Sequence, residues 1–258
     1  MALLLFLNIA PPAQAGPPFF TDDPDPVELH KWEINVATIN LHSAREHEWS
    51  GSAPLMELNY GVLDGLELHL QMSMDYVKVG SGPTHFGYAD TELGFEWRFL
   101  DQEKDGITMA TYPTLELPTG QHSEDLGSGK THLFLPLWIQ REFGKWTTYG
   151  GGGYWFNPGY DNRNYWFVGW EVQRKITEHF TAGVEIYHES ADEVGEPSQT
   201  NVGLGVIWDL SDNYHLLAYA GHSVEGPAEF QSYVGLQITF GGDKEKKSEK
   251  GPLRLTRK

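Results

Sequence analysis

The chain has 258 residues, with nine Trp, 29 Gly and no Cys, and a formal net charge of -18. Aromatics make up 13% of it, a mix that suits a twisted, closed all-β protein better than a helical one. There is no run of ~18 apolar residues, which excludes a transmembrane helix; the mean hydropathy of -0.43 is compatible with a membrane barrel, whose lumen and loops are polar.

Residues 1–15 read as an export signal. Ala2 to Ala10 is a short apolar stretch, and Ala13-Gln14-Ala15 is a small-x-small cleavage site before Gly16, although no Lys or Arg precedes the apolar run. Export without a membrane helix leaves the bacterial periplasm, the outer membrane or the exterior. Residues 16–240 are then expected to form one β domain that begins with a short periplasmic segment.

The clearest element is "LELHLQMSMDY", residues 66–76. Leu66, Leu68, Leu70, Met72, Met74 and Tyr76 alternate with Glu67, His69, Gln71, Ser73 and Asp75. Such a strand is half-buried in a soluble sheet or faces lipid on one side and a lumen on the other. Eleven residues at ~3.3 Å each span roughly 36 Å, which at a 45° tilt covers the ~25 Å apolar band of an outer membrane. Soluble strands are typically about half as long.

Similar segments are read near residues 28–41, 53–62, 66–77, 88–99, 107–117, 131–142, 146–155, 164–174, 180–189, 200–209, 214–222 and 229–240. They predict about 12 strands. Short connections at Val62-Leu63-Asp64-Gly65, at 143–145 and at Leu210-Ser211-Asp212-Asn213 contrast with long polar ones at 42–53, 118–131 and 189–200. This sorting predicts a closed antiparallel transmembrane β-barrel with its short turns and both termini in the periplasm. Pro113 and Pro136 fall mid-strand and predict local breaks or bulges. Aromatics near strand ends predict two interfacial girdles: Trp97, Phe99, Phe143, Trp146, Phe180, Trp208 and Tyr214 at one rim; Tyr76, Tyr88, Trp155, Tyr165, Tyr187 and Phe230 at the other. The last strand, "YVGLQITF", carries Val234, Leu236, Ile238 and Phe240 on one face. Residues 241–258 then form a basic periplasmic tail, rich in Lys and Arg in an otherwise acidic chain.

If the apolar face meets lipid, the polar face lines a lumen. Glu57, Glu67, His69, Asp75, Glu92, Glu96, Arg98, Glu116 and Glu185 are the pore-lining candidates. Carboxylates with few cations favour positive ions, unless they pair with Arg98, His69 or His132 and fill the barrel. "GSGKT" is not a phosphate loop. Glu124 stands where its first Gly would be, and the Leu133, Leu135, Leu137 alternation follows in place of a helix. In "TTYGGGGYW" the glycines predict that a ring such as Trp166 or Trp170 covers the bare backbone, or else a stacking niche for an aromatic ligand. "YHES" offers a rival reading: His188 and Ser190 stand in the His-x-Ser pattern of outer-membrane phospholipases and lipid A deacylases, with Ala191 where those continue with Asn and no evident third group for His188. His42 and His47 share one loop without tight metal spacing. No catalytic residue, metal, cofactor or nucleic-acid partner is expected.

Several words are distinctive: "GPPFFTDDPDPVE" (16–28), "LPTG" (117–120), "LGSGKTHLFLPLW" (126–138), "TTYGGGGYW" (147–155) and "NRNYWFVGW" (162–170). In these words the chain resembles the MetA-pathway of phenol degradation family across residues 16–240. The resemblance implies an outer-membrane protein for uptake of small aromatic or hydrophobic compounds, with membrane lipid and that solute as partners. It implies no catalytic or ligand residues.

Overall fold

The computed structural model describes residues 17–124, 126–227 and 229–242. The export signal and the basic tail from residue 243 lie outside them. Fourteen strand segments form one sheet: β1 (Lys31–Ser43), β2 (Glu48–Leu63), β3 (Leu66–Val79), β4 (Thr84–Tyr88), β5 (Thr91–Leu100), β6 (Thr108–Thr111), β7 (Thr114–Leu117), β8 (His132–Phe143), β9 (Trp146–Phe156), β10 (Tyr165–Lys175), β11 (Phe180–Glu189), β12 (Gln199–Ser211), β13 (Tyr214–Glu225) and β14 (Glu229–Gly241). β1 pairs with β14 from Lys31↔Gly241 to Ser43↔Glu229, so the sheet closes on itself. β4 and β5 are two halves of one stave, as are β6 and β7, which leaves a barrel of twelve antiparallel staves.

Both interruptions have local causes. At residues 112–113 the chain leaves the ladder because Pro113 has no N–H to give it. Pro136 on the neighbouring stave does not break β8. It faces the gap instead, with β6 paired to one half of β8 and β7 to the other. Thr111 Oγ1 donates to the Pro136 carbonyl across that gap at 2.7 Å. At 89–90 the Asp90 carboxylate turns outward from the ladder and accepts from the Gly120 and Ser128 N–H groups, both at 2.7 Å, and from Ser128 Oγ at 2.6 Å. The glycine loop around "GSGKT" thus encloses a carboxylate of its own chain.

The turns at 64–65, 144–145 and 212–213 lie at the end where residues 31 and 241 meet, and the longer connections 118–131, 157–164 and 190–198 lie at the other. The stretch 42–53, expected as a long polar loop, is instead a four-residue turn at 44–47 flanked by strand. Its polar residues Glu48, Ser50 and Ser52 are buried on the inner face while Trp49 points out, so polarity there marks a lumen wall.

In β3 the odd positions Glu67, His69, Gln71, Ser73 and Asp75 are buried, while Leu68 is half exposed on the outside. The same inversion holds in β10 and β11, where Trp166, Val168, Trp170, Val184 and Ile186 are exposed. A protein with polar side chains inside and an apolar belt outside is built for lipid.

The segment before β1 enters the lumen. Phe19, Phe20 and Thr21 are almost wholly buried. Glu185 accepts hydrogen bonds from the Phe20 and Thr21 N–H groups, and Glu67 accepts from Val27 N–H at 2.6 Å. Asp25 binds Gln140 and Arg98. Room is made by Gly169, Gly183 and Gly205 on three successive strands: a Cβ on Gly169 would meet Thr21 Oγ1 at 2.0 Å, and one on Gly205 would meet the Phe19 ring at 2.4 Å. These bonds satisfy an irregular backbone that would otherwise be buried without partners.

Candidate functional site

The lumen has two unlike walls. The first is polar and carried by β2, β3, β5 and β7. Register places one row of inward residues side by side across six staves: Asn35↔Glu57, Glu57↔Gln71, Gln71↔Glu92, Glu92↔Glu116 and Glu116↔His132. Strand tilt makes such a row climb along the barrel, from near the terminal end at Asn35 to the far rim at His132. Gln71 Nε2 donates to Glu92 at 3.1 Å, and His132 Nδ1 lies 3.0 Å from Glu116. A lower neighbouring pair, Glu67↔Glu96, also sets carboxylate against carboxylate.

Of the pore-lining candidates, Glu57, Glu67, His69, Asp75, Glu92, Glu96, Glu116 and Glu185 are buried and face the lumen. They do not form one cluster. Glu67 and Glu185 hold the N-terminal segment, and His69 bonds the Asn59 side chain at 2.7 Å under the edge of Tyr112. Arg98 sits at the terminal mouth, 3.1 Å from Asp25 and 3.8 Å from Asp101. Of the pairings anticipated for the histidines and arginine, the one that reaches the row of wall carboxylates is His132 with Glu116.

The second wall is aromatic and was missed. Phe134, Trp138, Tyr149, Trp155, Phe167, Tyr187, Tyr219 and Tyr233 are buried inside. Eight rings run in unbroken contact: Tyr165 on Trp155 (6.0 Å, 12°), Trp155 on Phe134 (4.7 Å, 13°), Phe134 against Phe167 (6.4 Å), Phe167 on Tyr187 (5.4 Å), Tyr187 against Phe20 (5.3 Å), Phe20 against Tyr219 (5.3 Å) and Tyr219 against Phe19 (6.0 Å). Trp155, Tyr165 and Tyr187 therefore leave the girdle to which their positions near strand ends assigned them. Tyr187 shares the parity of Glu185, an inward residue, and that signal was in the sequence. The glycines of β9 serve this wall: a Cβ on Gly153 would strike Phe134 at 2.5 Å, and one on Gly151 would lie 3.0 Å from Trp138. Trp170 covers Gly150 on the outside, as expected.

Between the walls, toward the rim with the longer loops, lies a cavity of about 1260 Å³ including its open mouth. Gln71, Asp75, Glu92, Glu116 and His132 line one side, Trp155 and Tyr165 the other, and Asp192 and Glu193 the mouth. Burial and the neighbouring Asp192, Glu196, Asp161 and Glu46 push the Glu193 carboxyl up to about 7.

His188 and Ser190 do not make a dyad. His188 Nδ1 bonds Thr200 Oγ1 at 2.9 Å, and Ser190 Oγ accepts from Trp166 N–H at 2.9 Å. His42 stacks on Trp49 at 4.3 Å and bonds the Glu48 carbonyl. Among the described residues no group of three or more His, Asp or Glu is placed to hold a metal.

The family described as "Putative MetA-pathway of phenol degradation" matches residues 56–240. The chain belongs to that family. Among solved structures, the COG4313 outer membrane channel from Pseudomonas putida F1 is similar at 14% identity over 84% of this chain and 98% of that one, with a TM-score of 0.72. The KdgM porin in complex with disordered oligogalacturonate is similar at 11% identity over 81% and 99%, TM-score 0.55, and the NanC porin at 9% over 79% and 98%, TM-score 0.54. These identities establish likeness of fold. No curated protein sequence matches significantly. The phenol-degradation family member described here is thus a bacterial outer-membrane β-barrel, and its short-turn end, with residues 31 and 241, is the periplasmic one.

Proposed function

We propose that the barrel is a passive, non-enzymatic route across the outer membrane for small aromatic or hydrophobic compounds. The observation that carries this reading is the continuous run of inward rings from Tyr165 down to Phe19. An aromatic solute in the cavity meets Trp155 and Tyr165 at the top of the run, and below them it can exchange ring-on-ring contacts of the same kind as those rings part. Family membership agrees with that substrate class. The lower end of the run includes Phe19 and Phe20, so full passage requires the N-terminal segment to shift or the solute to leave through the wall.

The test is uptake of radiolabelled toluene by porin-deficient cells that express the chain. Expression should speed uptake, and replacing Phe134 and Trp155 together by Ala should slow it toward the level of non-expressing cells. Equal uptake with and without the protein would overturn the reading. The hydrolase alternative has no supporting contact, since His188 and Ser190 are each engaged elsewhere.

A further inference from the structure

The upper cavity lacks positive charge on its own account. Glu92 and Glu116 are direct cross-strand neighbours, an arrangement that repels when both are ionised. His132 is the one basic side chain lining the cavity among the described residues, and its Nδ1 is committed to Glu116. Three polar atoms around this pair have no protein partner: Asp75 Oδ1, Gln71 Oε1 and His132 Nε2. Their residues are 8%, 7% and 4% exposed, and all three line the cavity. Asp75 Oδ1 accepts when its carboxyl is ionised, the amide Gln71 Oε1 is an acceptor always, and His132 Nε2 accepts when Nδ1 carries the proton toward Glu116. Buried acceptors left open are costly. What would complete them is a group with several donors and a positive charge. Across the cavity stand Trp155 and Tyr165, whose rings are stacked on each other and give that side an aromatic lining.

We propose that this cavity is a binding site for a small aromatic ammonium ion, its ammonium against the acceptor-lined wall of Gln71, Asp75 and Glu92 and its ring against Tyr165 on the opposite side. The proposal rests on the reading of the barrel as a route for aromatic solutes and narrows it, because a neutral arene would leave the acceptors open. An ammonium has three donors on one compact charge, which suits a wall that offers acceptors and no free cation. Charge-assisted bonds of this kind are about twice as strong as neutral ones.

Calorimetric titration of the full-length protein in detergent tests it, with 2-phenylethylammonium, the equally sized neutral 2-phenylethanol, and the anion phenylacetate. The ammonium should bind about tenfold or more tightly than the alcohol, the anion should not bind, and Asp75→Asn or Glu92→Gln should each weaken the ammonium about tenfold to a hundredfold while leaving the alcohol unchanged. Retained heat-modifiable migration on gels checks that each variant is folded. Should Asp75→Asn misfold, Glu92→Gln and the ligand comparison on the unaltered protein still decide. Equal binding of ammonium and alcohol, or variants that bind the ammonium as well as the parent does, would overturn the ammonium site and leave the aromatic route standing. If no aromatic of any charge binds, both fall.

Discussion

The polar wall on β2 to β7 and the aromatic wall on β8 to β14 belong to one sheet with one outer surface. Outside they are alike: Leu93 and Phe95 on one side, Trp166, Val184 and Leu204 on the other, all exposed and apolar. Inside they are opposites, with Glu57, Glu67, Glu92 and Glu96 facing Phe134, Trp138, Phe167 and Tyr187. Lipid imposes one rule on every stave, whereas the interior answers only to what it must hold. The N-terminal segment uses both kinds of surface. Its N–H groups reach the carboxylates of Glu185 and Glu67, while its two Phe rings join the aromatic run.

The largest expected difference between the walls is in stability. Trp138 is fully buried among rings, so Trp138→Ala should cost about 3–5 kcal/mol. Glu92→Gln keeps the contact to Gln71 and relieves the opposition to Glu116, so its effect should be roughly neutral or a gain of about 0.2–1 kcal/mol. Urea titration of bilayer-reconstituted protein measures both, and equal losses would erase the distinction. On the outer surface the walls should behave identically. Leu70→Arg and Leu204→Arg, near the middle of β3 and β12, should each cost about 2–4 kcal/mol; one wall tolerating arginine while the other does not would mean that only part of the barrel meets lipid.

Ion conduction sharpens the contrast further. Any current should prefer cations, and Glu92→Gln with Glu96→Gln should move the reversal potential toward zero, whereas Phe134→Leu should not. The mouth adds a pH dependence. Glu193, held up to about 7, is charged above that pH and neutral below it, so cation preference should weaken as the outer solution is acidified through neutrality. Glu193→Gln should remove that step, and a step that survives the substitution would place its origin elsewhere. The smallest effect belongs to Ser190→Ala. It removes one hydrogen bond to the Trp166 N–H, worth about 0.5–1.5 kcal/mol, and should leave toluene uptake unchanged with no fatty-acid release before or after.

Much of this was legible in the sequence because lipid enforces a period of two. The twelve staves, the inward carboxylates and the outward leucines of residues 66–76 all follow from parity alone. Parity with Glu185 also points Tyr187 inward, but its place near a strand end argued for a girdle, and position is a weaker guide than face; around the glycines of β9 both faces carry aromatics, so parity says nothing of Trp155. The stretch 48–52 read as loop because Glu48, Ser50 and Ser52 are polar, a composition that a lumen wall shares with a loop. The lodging of residues 17–27 in the lumen left no periodic trace. An irregular segment has no face, and its partners, Glu185 and the glycines at 169, 183 and 205, lie far along the chain.

That lodging has a consequence for any solute. Leu29 bridges to Gly61, and the next residue, His30, donates its N–H to the Gly61 carbonyl at 2.8 Å, so the segment is leashed to the barrel within a few residues of the rings it covers. A leashed group competes for its seat as if present at an effective concentration on the order of millimolar. A solute entering the lower lumen must outbid that internal rival, and its apparent affinity falls by the fraction of time the seat is free. The upper cavity has no such rival among the described residues, so under the proposed transport role it is where a dilute solute binds first.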